Sequence, residues 1–444
     1  MWCVVVNVKP GDLIRVITSG GLVVEGVVLP STEFTSEKHI VLKLSSGYNV
    51  GVSLENAIVE VIAEDYLKLG ALEGSQGVTV IKGKGELRMA FVSTGGTIVS
   101  KVEYETGAVK PALSASDLVE FVPELRELAE EIVVSDFMRK LSENMTPEDW
   151  SRISEEVGKY LRSGADGVIV AHGTDTMAYT AAALAFSLRN LGNPVVLVGA
   201  QRSSDRPSTD ASYNLKACPV IVKEAPFAEV VVAMHGSSDD IYVFAHRGVR
   251  VRKMHSSRRD AFQSVNDLPL AKVYVRERRL EVINRNYLPR TRSSEVLLMN
   301  KFSSKVALLK HYPGIDCEII DYLVDKGYKG VVIEGTGLGH IREECIDGIR
   351  RAIEEGVIVA MSTQTIFGRV DLDVYTTGRK LLKAGVVPVD DMLPEVAFVK
   401  LSWLLGNYHG EEPAKIGSRL TTNLVNEIGG TQSLSVFPRW YHGD

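Results

Sequence analysis

The sequence predicts an α/β protein in which two parallel-sheet domains follow a small all-β barrel. Three observations support this fold class. With 444 residues, the chain exceeds the roughly 250 to 300 residues at which one hydrophobic core stops growing. The first 62 or so residues consist of short alternating runs. Later apolar runs alternate with helical patterns, which is typical of a parallel sheet covered on both faces.

Residues 1–85 are predicted to form the small barrel and a linker. Five short runs, LIRVI, LVVEGVVL, HIVLKL, YNVGV and AIVEVI, alternate apolar and polar residues, with turn signals at 19–21 and 45–47. About five strands at this spacing favour a small barrel. The only histidine of these strands is His39, and the acidic residues fall mostly at turns. We therefore expect this domain to contact a partner or another domain rather than to carry out chemistry.

The remaining chain divides into two α/β domains. The larger, at 86–278, contains the strand-like runs MAFVS, GVIVA, PVVLVG, EVVVAM and DIYVFA, and a helix that Thr146 is predicted to cap before Pro147. A charged, poorly periodic segment at 279–300 is typical of an inter-domain linker. The smaller domain, at 301–415, contains VALLK, GVVIEG and VIVAMS, and a tail of weak periodicity occupies 416–444.

Composition and charge exclude several classes of protein. A formal net charge of −6 argues against a protein whose main task is wrapping nucleic acid. Cys3, Cys218, Cys317 and Cys345 form no C-x-x-C pair, so we expect neither a disulfide scaffold nor a zinc site, and a reduced cytosol fits best. No apolar run approaches the roughly 18 residues of a membrane span. We expect a cytoplasmic protein without a metal site.

Two turns after predicted strands carry more polar groups than a turn requires. In T-G-G-T at 94–97, Gly95 and Gly96 would let backbone N–H groups approach a carbonyl oxygen. In H-G-T-D-T at 172–176, Asp175 or Thr176 alone is enough to cap the following helix. Ligands of open parallel sheets bind beyond the carboxyl ends of strands, so we expect both turns to face one site.

A threonine nucleophile in such a site needs an activating group, because its hydroxyl is weakly acidic. Tyr104, in VEYETGAVKP, and Lys253, in RVRKMHSSRRDAF, are the candidates. Lys253 is a better proton handler than the flanking arginines, whose guanidinium groups do not lose their protons. Taken singly, each feature has a plainer interpretation: a tight turn, a helix cap, a half-buried aromatic residue or a solvated cation.

Together, these segments resemble a known enzyme family. TGGTI at 94–98, HGTDTM at 172–177 and RKMHSSRRDAFQS at 252–264 are similar to the three signature segments of the type I/II asparaginases and glutaminases. LSENMTPEDW at 141–150 resembles the family's substrate-carboxylate segment, and YETGAV at 104–109 its mobile nucleophile loop. The resemblance covers roughly residues 87–415 and implies an asparaginase-like two-domain parallel-sheet fold.

The resemblance also implies catalytic roles. Thr97 would be the nucleophile, with Tyr104 as its activating partner on a closing loop. Thr174, Asp175 and Lys253 would form the second catalytic group, in which Lys253 supports the Thr174 hydroxyl. Asp175 would also pair with the substrate α-ammonium.

Substrate-binding roles follow from the same resemblance. Ser142 and Glu143 would lie near the substrate α-carboxylate and α-amino group, although several relatives have glutamine where Glu143 stands. Gly96 and Gly173 would lie in the turns that stabilise the oxyanion, and His172 would have a supporting structural role. The acidic residue that free-standing relatives receive from a neighbouring protomer has no assigned match.

The extension before the first signature distinguishes members of the family. GDLIRV, VVEGVVLP and VLKLSSGYNVG, together with the later stretch 376–406, resemble the D-subunit family of archaeal glutamyl-tRNA(Gln) amidotransferases. This resemblance implies a glutaminase without a cofactor of its own. ATP, Mg and most contacts with Glu-tRNA(Gln) are expected on a partner, the E subunit, and a self-dimer within a heterotetramer is expected. The alternatives are a stand-alone asparaginase with an accessory barrel and a non-catalytic scaffold.

A run of basic residues around the third signature has two interpretations. It could touch phosphates, but ion pairs around the site are favoured because the chain is acidic overall. The run consists of Arg247, Arg250, Arg252, Lys253, Arg258 and Arg259. No P-loop occurs in the chain, and the isolated G-x-G at Gly337 and Gly339 is weak evidence for nucleotide binding.

Overall fold

A computed structural model confirms an α/β chain with an all-β part near the N terminus. The structure describes residues 8–29, 38–44, 48–64, 77–96, 100–102, 109–111, 122, 124–202, 208–430 and 436–437. These ranges contain a five-stranded, a nine-stranded and a four-stranded sheet, besides three two-stranded ones. No helix within them has the length and apolar character to span a membrane.

The N-terminal sheet consists of the five strands that the alternating runs predict. They are β1 (Leu13–Ile17), β2 (Val23–Val28), β3 (His39–Lys43), β4 (Asn49–Ser53) and β5 (Ile58–Ala63). All neighbours pair antiparallel, in the order β4-β3-β2-β1-β5. Ile14, Val16, Val28, Leu42 and Val52 form the buried core. Within the described residues the five strands form an open antiparallel sheet with β4 and β5 at its edges, which confirms a small all-β part, while closure into a barrel stays a prediction.

The large sheet places parallel strands at its centre. Its strands are β6 (Val78–Lys82), β7 (Leu87–Ser93), β10 (Ala129–Asp136), β11 (Gly167–Ala171), β13 (Val195–Val198), β14 (Val230–His235), β15 (Val243–Arg247), β18 (Ala271–Tyr274) and β19 (Arg279–Val282). Their order is β19-β18-β15-β14-β13-β11-β7-β10-β6, and the five from β14 to β10 are parallel. Every residue of β11, β13 and β14 is buried, as expected for strands covered on both faces.

Three short ribbons accompany the large sheet. They pair β8 (Ser100–Val102) with β9 (Val109–Pro111), β12 (Leu188–Arg189) with β20 (Leu297–Leu298), and β16 (Val251–Lys253) with β17 (Phe262–Ser264). The segment at 279–300, interpreted from sequence as a linker, thus contains β19 and β20. Each of these two strands pairs with a strand of the preceding domain.

In the ranges that the structure describes, four helices cover the large sheet: α1 (Glu124–Leu128), α2 (Pro147–Arg162), α3 (Met177–Ser187) and α4 (Ala211–Glu224). The predicted start of α2 is confirmed. The Thr146 hydroxyl accepts from the Asp149 N–H at 3.4 Å, and the Asp149 carboxylate accepts from the Thr146 N–H at 2.8 Å. Such a reciprocal capping box satisfies two backbone donors that the first turn leaves free.

The smaller α/β part has a wholly parallel sheet. Its strands are β21 (Val306–Lys310), β22 (Gly330–Gly335), β23 (Ile358–Thr363) and β24 (Val387–Pro388), in sequential order. Its helices are α5 (Glu318–Asp325), α6 (Ile346–Glu354), α7 (Thr376–Ala384), α8 (Pro394–Asn407) and α9 (Pro413–Leu420). One buried apolar cluster joins it to the large sheet through Val251, Met392 and Leu393, and Phe186 stacks on Trp403 at 5.8 Å.

The expectation that the cysteines form no disulfide is wrong. Cys317, just before α5, is bonded to Cys345, just before α6, with a Cα–Cα distance of 4.9 Å. The two helices pack side by side through Ile320 and Ile349. Their cysteines are 28 residues apart in sequence. No local spacing signal reports the pairing, because it arises only when the two helices meet.

Candidate active site

The first candidate turn follows the central strand β7. Both the backbone N–H and the hydroxyl of Thr94 donate to the Ala171 carbonyl oxygen, at 3.0 and 2.9 Å, and so tie this turn to the end of β11. Gly95 and Gly96 then adopt φ values of +107° and +86°. Glycine reaches this left-handed region without the steric penalty of a Cβ atom. The turn can therefore bend sharply against its neighbours.

The second candidate turn follows the adjacent strand β11. His172 is fully buried, its Nδ1–H donates to the Gly173 carbonyl oxygen at 2.7 Å, and its Nε2 accepts from the Thr180 hydroxyl at 2.9 Å. Burial lowers the pKa of His172 to about 4, so the ring is neutral at pH 7. This enclosed imidazole fixes the turn and has no open face for a ligand.

The two turns and Ser142 touch each other. A Cβ atom added at Gly96 would lie 2.3 Å from the Gly173 backbone nitrogen. A Cβ atom at Gly173 would lie 2.7 Å from both Cβ and Oγ of Ser142. Ser142 is itself buried, in the 3-10 turn that precedes α2. The three segments thus meet so closely that only glycine fits at positions 96 and 173.

Thr176 has a different role from the predicted helix cap. It occupies the N-cap position of α3, but its side chain makes no capping hydrogen bond. The hydroxyl donates instead to the Ser142 carbonyl oxygen at 2.7 Å. This bond joins the start of α3 to the Ser142 turn. The expected cap by Thr176 is therefore wrong, because its hydroxyl accepts from no N–H group of the first turn.

Lys253, at the end of β16, connects the polar groups of the second turn. Its Nζ donates to Thr174 Oγ1 at 3.0 Å and to Asp175 Oδ1 at 2.6 Å. Thr174 is buried, the Lys253 side chain is 14% exposed, and the Asp175 side chain is 65% exposed. An ammonium in contact with a hydroxyl can exchange a proton with it. The exposed carboxylate remains accessible to a cationic group of a ligand.

Three family models match consecutive parts of the chain. They are the GatD N-terminal domain at residues 8–62, the N-terminal asparaginase domain at 88–287 and the glutaminase/asparaginase C-terminal domain at 305–417. The first covers the open β-sheet, and the other two cover the parts that carry the large and small α/β sheets.

Curated relatives match nearly the whole chain. The D subunit of glutamyl-tRNA(Gln) amidotransferase from Sulfolobus acidocaldarius is 48% identical over 437 residues, 98% of this chain and 95% of that protein. The corresponding protein of Sulfurisphaera tokodaii is 49% identical with the same coverage. The chain belongs to this D-subunit family. The resemblance inferred from the motifs and the N-terminal extension is thereby confirmed.

Solved asparaginases share the fold of this member of the D-subunit family. The L-asparaginase of Thermococcus kodakarensis is 33% identical and superimposes with a TM-score of 0.68 over 77% of this chain and 99% of that one. The L-asparaginase I of Vibrio cholerae is 28% identical, with a TM-score of 0.66 over 78% of this chain and 100% of that one. These structures confirm the expected asparaginase-like fold.

The predicted site residues differ in how the structure places them. Thr97 and Tyr104 lie outside the described residues, so their roles stay predictions. Thr174, Asp175 and Lys253 come together as the motifs predict, while their catalytic roles also stay predictions. Gly96, Gly173 and Ser142 lie in mutual contact. Glu143 shares the 3-10 turn of Ser142, is exposed, and makes no hydrogen bond to a described residue.

The basic run around Lys253 forms ion pairs, as the favoured interpretation predicts. Each of its six members contacts at least one carboxylate. The pairs are Arg247 with Glu229 and Asp267, Arg250 with Asp391, Arg252 with Glu395, Lys253 with Asp175, Arg258 with Asp260, and Arg259 with Asp240. Within the described ranges, His, Cys, Asp and Glu side chains form no group of three or more placed to hold a metal.

Sequence reasoning missed the acidic partners that the small α/β part contributes. Asp391 and Glu395 contact the two arginines nearest to Lys253, across the boundary between the two sheets. Both occur in the stretch DDMLPEV, where Glu395 also lies in the first turn of α8. Their sequence distance from Lys253 concealed the connection. A search for acids able to neutralise Arg250 and Arg252 would have raised them as candidates.

Proposed function

We propose that the chain is the glutaminase component of a tRNA-dependent amidotransferase and releases ammonia from glutamine. The contact of Lys253 with both Thr174 and Asp175 carries this proposal. It supplies a proton-handling pair and an exposed carboxylate at the end of β11, beside the glycine turn that precedes Thr97. Membership of the D-subunit family provides the reaction in which such a site would operate.

The proposed reaction is acyl transfer through threonine. The Thr97 oxygen attacks the side-chain amide carbon of glutamine, and its proton passes by way of Thr174 and Lys253 to the leaving nitrogen. Backbone N–H groups of the Gly96 and Gly173 turns stabilise the oxyanion, and ammonia departs. Water then hydrolyses the γ-glutamyl ester and regenerates the hydroxyl. Tyr104 activates Thr97.

In this proposal, the charges of the exposed side chains at the site account for substrate recognition. Asp175 binds the α-ammonium of glutamine because its carboxylate is exposed while Lys253 neutralises only one side. Ser142 and Glu143 lie next to the α-carboxylate and α-amino group.

The released ammonia serves a second protein of the complex. This partner, the E subunit, carries ATP and Mg and phosphorylates the glutamate of Glu-tRNA(Gln), and ammonia converts it to Gln-tRNA(Gln). Two copies of each protein form a cytoplasmic heterotetramer. The Cys317–Cys345 disulfide is an exception to the reduced thiols expected of a cytoplasmic protein. The division into domains at 1–85, 86–278, 301–415 and a tail at 416–444 belongs to the same proposal.

The alternative with structural support is a stand-alone L-asparaginase, since solved asparaginases superimpose on most of the chain. Ammonia release should be measured from glutamine and from asparagine, with and without Glu-tRNA(Gln) and the E subunit. The half-enzyme should prefer glutamine and be nearly idle alone. Steady hydrolysis of asparagine without a partner would contradict the proposal.

Replacing Thr97 tests the mechanism itself. Thr97→Ala should reduce glutaminase turnover roughly 10⁴-fold or more, because the proposed ester forms on the Thr97 oxygen. Thr97→Ser retains a hydroxyl and serves as the matched control, with turnover well above that of Thr97→Ala. Thermal unfolding and binding to the E subunit should not change in either variant. Normal turnover in Thr97→Ala would contradict the assignment and favour another nucleophile.

A further inference from the structure

The strand that carries Lys253 contacts both α/β parts of the molecule. Successive side chains of a strand point to opposite sides. Lys253 contacts Thr174 on the side of the large sheet, whereas Arg252 pairs with Glu395 at 2.9 Å on the side of the small one. Arg250, two residues before Arg252, also contacts the small part. The hairpin of β16 and β17 thus lies between two sets of partners.

Arg250 makes the most buried of these contacts. Its Nη1 donates to the Asp391 carbonyl oxygen at 3.1 Å, and its Nη2 donates to Asp391 Oδ1 at 3.2 Å. The two side chains are only 2% and 0% exposed. Arg250 Nε donates to the Asn426 carbonyl oxygen at 3.1 Å, and the Gly429 N–H donates to Asp391 Oδ1 at 2.8 Å. The C-terminal segment 426–429 therefore also binds the Arg250–Asp391 pair.

The second strand of the hairpin, β17, is followed by a residue that also contacts Asp391. Asn266, two residues after β17, donates from Nδ2 to the carbonyl oxygens of Asp391 and Gly368, at 3.0 and 2.9 Å. Its Oδ1 accepts from the Gly368 N–H at 3.0 Å. Both strands are thus fixed by the small part. Rotation of one part against the other would displace the hairpin and the lysine it carries.

The buried carboxylate of Glu395 has Arg252 as its ion-pair partner. Its side chain is 11% exposed, and its Oε2 is buried with no hydrogen-bond partner among the described residues. Burial raises the pKa of Glu395, and the nearby Arg252 guanidinium opposes that rise. A buried carboxylate with one unsatisfied oxygen depends on its ion-pair partner, here Arg252. Removal of the Glu395 charge therefore leaves Arg252 without its only carboxylate partner in the described chain.

We propose that Asp391 and Glu395 are positioning residues for Lys253. From the small part, they fix Arg250 and Arg252, and thereby keep the Lys253 ammonium between Thr174 and Asp175. The inference rests on the proposed function, because the lysine belongs to that site. Neither acid contacts Thr174 or Asp175, so each acts only through an arginine. A displacement near 1 Å at a reacting group can reduce turnover about 100-fold.

Glu395→Gln tests the inference with little change of shape. The matched control is Glu156→Gln, since the Glu156 side chain is 13% exposed and pairs with Lys159 on α2, away from the hairpin. Ammonia release from glutamine is measured on the full chain with Glu-tRNA(Gln) and the E subunit, alongside thermal unfolding. Glu395→Gln should lower kcat about 10- to 100-fold with KM nearly unchanged. Glu156→Gln should keep the wild-type kcat.

Two further variants separate positioning from general stability. Arg252→Lys keeps the charge but loses the planar guanidinium, so its kcat should fall between those of wild type and Glu395→Gln. The exchanged pair Arg252→Glu with Glu395→Arg should restore part of the lost kcat. Wild-type kcat in Glu395→Gln, or a loss of kcat that only follows a lowered melting temperature, would overturn the inference. Absence of ammonia release by the wild-type complex would instead contradict the proposed function.

Discussion

The large and small α/β parts both contain parallel strands, but the polar groups at the ends of those strands have different partners. In the large sheet, the turns after β7 and β11 contact each other, and Lys253 adds a cation to them. In the small sheet, polar side chains also stand at the end of a parallel strand, but they bond within the small part itself: Thr363 donates to the Gly337 carbonyl oxygen at 2.6 Å, and Gln364 to that of His311 at 3.1 Å.

The difference shows that strand-end position alone does not make a catalytic site. Polar residues beyond parallel strands are expected in both sheets. In the small sheet, the donors of these residues already have hydrogen-bond partners. The small part instead acts on Lys253 through Asp391 and Glu395. We interpret the large part as the source of the chemistry and the small part as its support. This division makes separate predictions for turnover and for stability.

Lys253→Met should have the largest effect and should act on turnover. The substitution removes the cation between Thr174 and Asp175, and general acid–base groups typically contribute about 10²- to 10⁴-fold. We expect kcat for ammonia release to fall by a factor in this range, measured in the complex with the E subunit. Lys383→Met, at an exposed lysine of α7 in the small part, is the control and should leave kcat unchanged. A similar loss in both variants would remove the distinction between the two parts.

The turns of the large part and their mutual contact were predictable because their signals are local in sequence. The T-G-G-T and H-G-T-D-T stretches each place their polar groups within five residues, and Thr146 with Asp149 gives a capping signal over three residues. Each such motif forms wherever its strand ends, whatever the rest of the chain does. The order of the motifs then identifies the family and its fold.

The contacts by which the small part holds the hairpin of β16 and β17 were not predictable, because their partners are far apart in sequence. Arg250 and Asp391 are 141 residues apart, and the partner of Thr176 lies 34 residues away at Ser142. Such pairs depend on how helices and sheets pack, which no local periodicity reports. The Cys317–Cys345 bond is a further case. A local rule, such as the expected cap by Thr176, fails where a distant partner orients the side chain.

Glu427→Gln should have the next largest effect, on stability. Lys400 of α8 and Glu427 are fully buried and lie 2.6 Å apart, and the Val425 N–H also donates to Glu427, at 2.7 Å. Removal of one charge leaves the Lys400 ammonium without a counter-charge, which typically costs about 3–5 kcal/mol. Chemical denaturation of the full chain should measure this loss of unfolding free energy.

Two controls calibrate the Glu427 result. Asp347→Asn removes an exposed pair with Arg350, whose side chains are 87% and 51% exposed, and should cost less than about 1 kcal/mol. The double variant Lys400→Met, Glu427→Gln should recover part of the loss, because it leaves no unpaired charge and keeps an acceptor for the Val425 N–H. Equal losses from Glu427→Gln and Asp347→Asn would contradict the view that the C-terminal segment stabilises the small part through this pair.

Gly96→Ala and Gly314→Ala compare the two parts at matched backbone geometry and should give the smallest effect. Both glycines have left-handed φ values, +86° and +82°, so the backbone conformation alone should cost each alanine about 1–2 kcal/mol of stability. A Cβ atom at Gly314 meets nothing within 4 Å, whereas one at Gly96 would lie 2.3 Å from the Gly173 nitrogen. Only Gly96→Ala should separate the two turns, and we expect its kcat to fall roughly tenfold or more. If Gly314→Ala lowered kcat equally, backbone strain rather than contact between the turns would explain the loss.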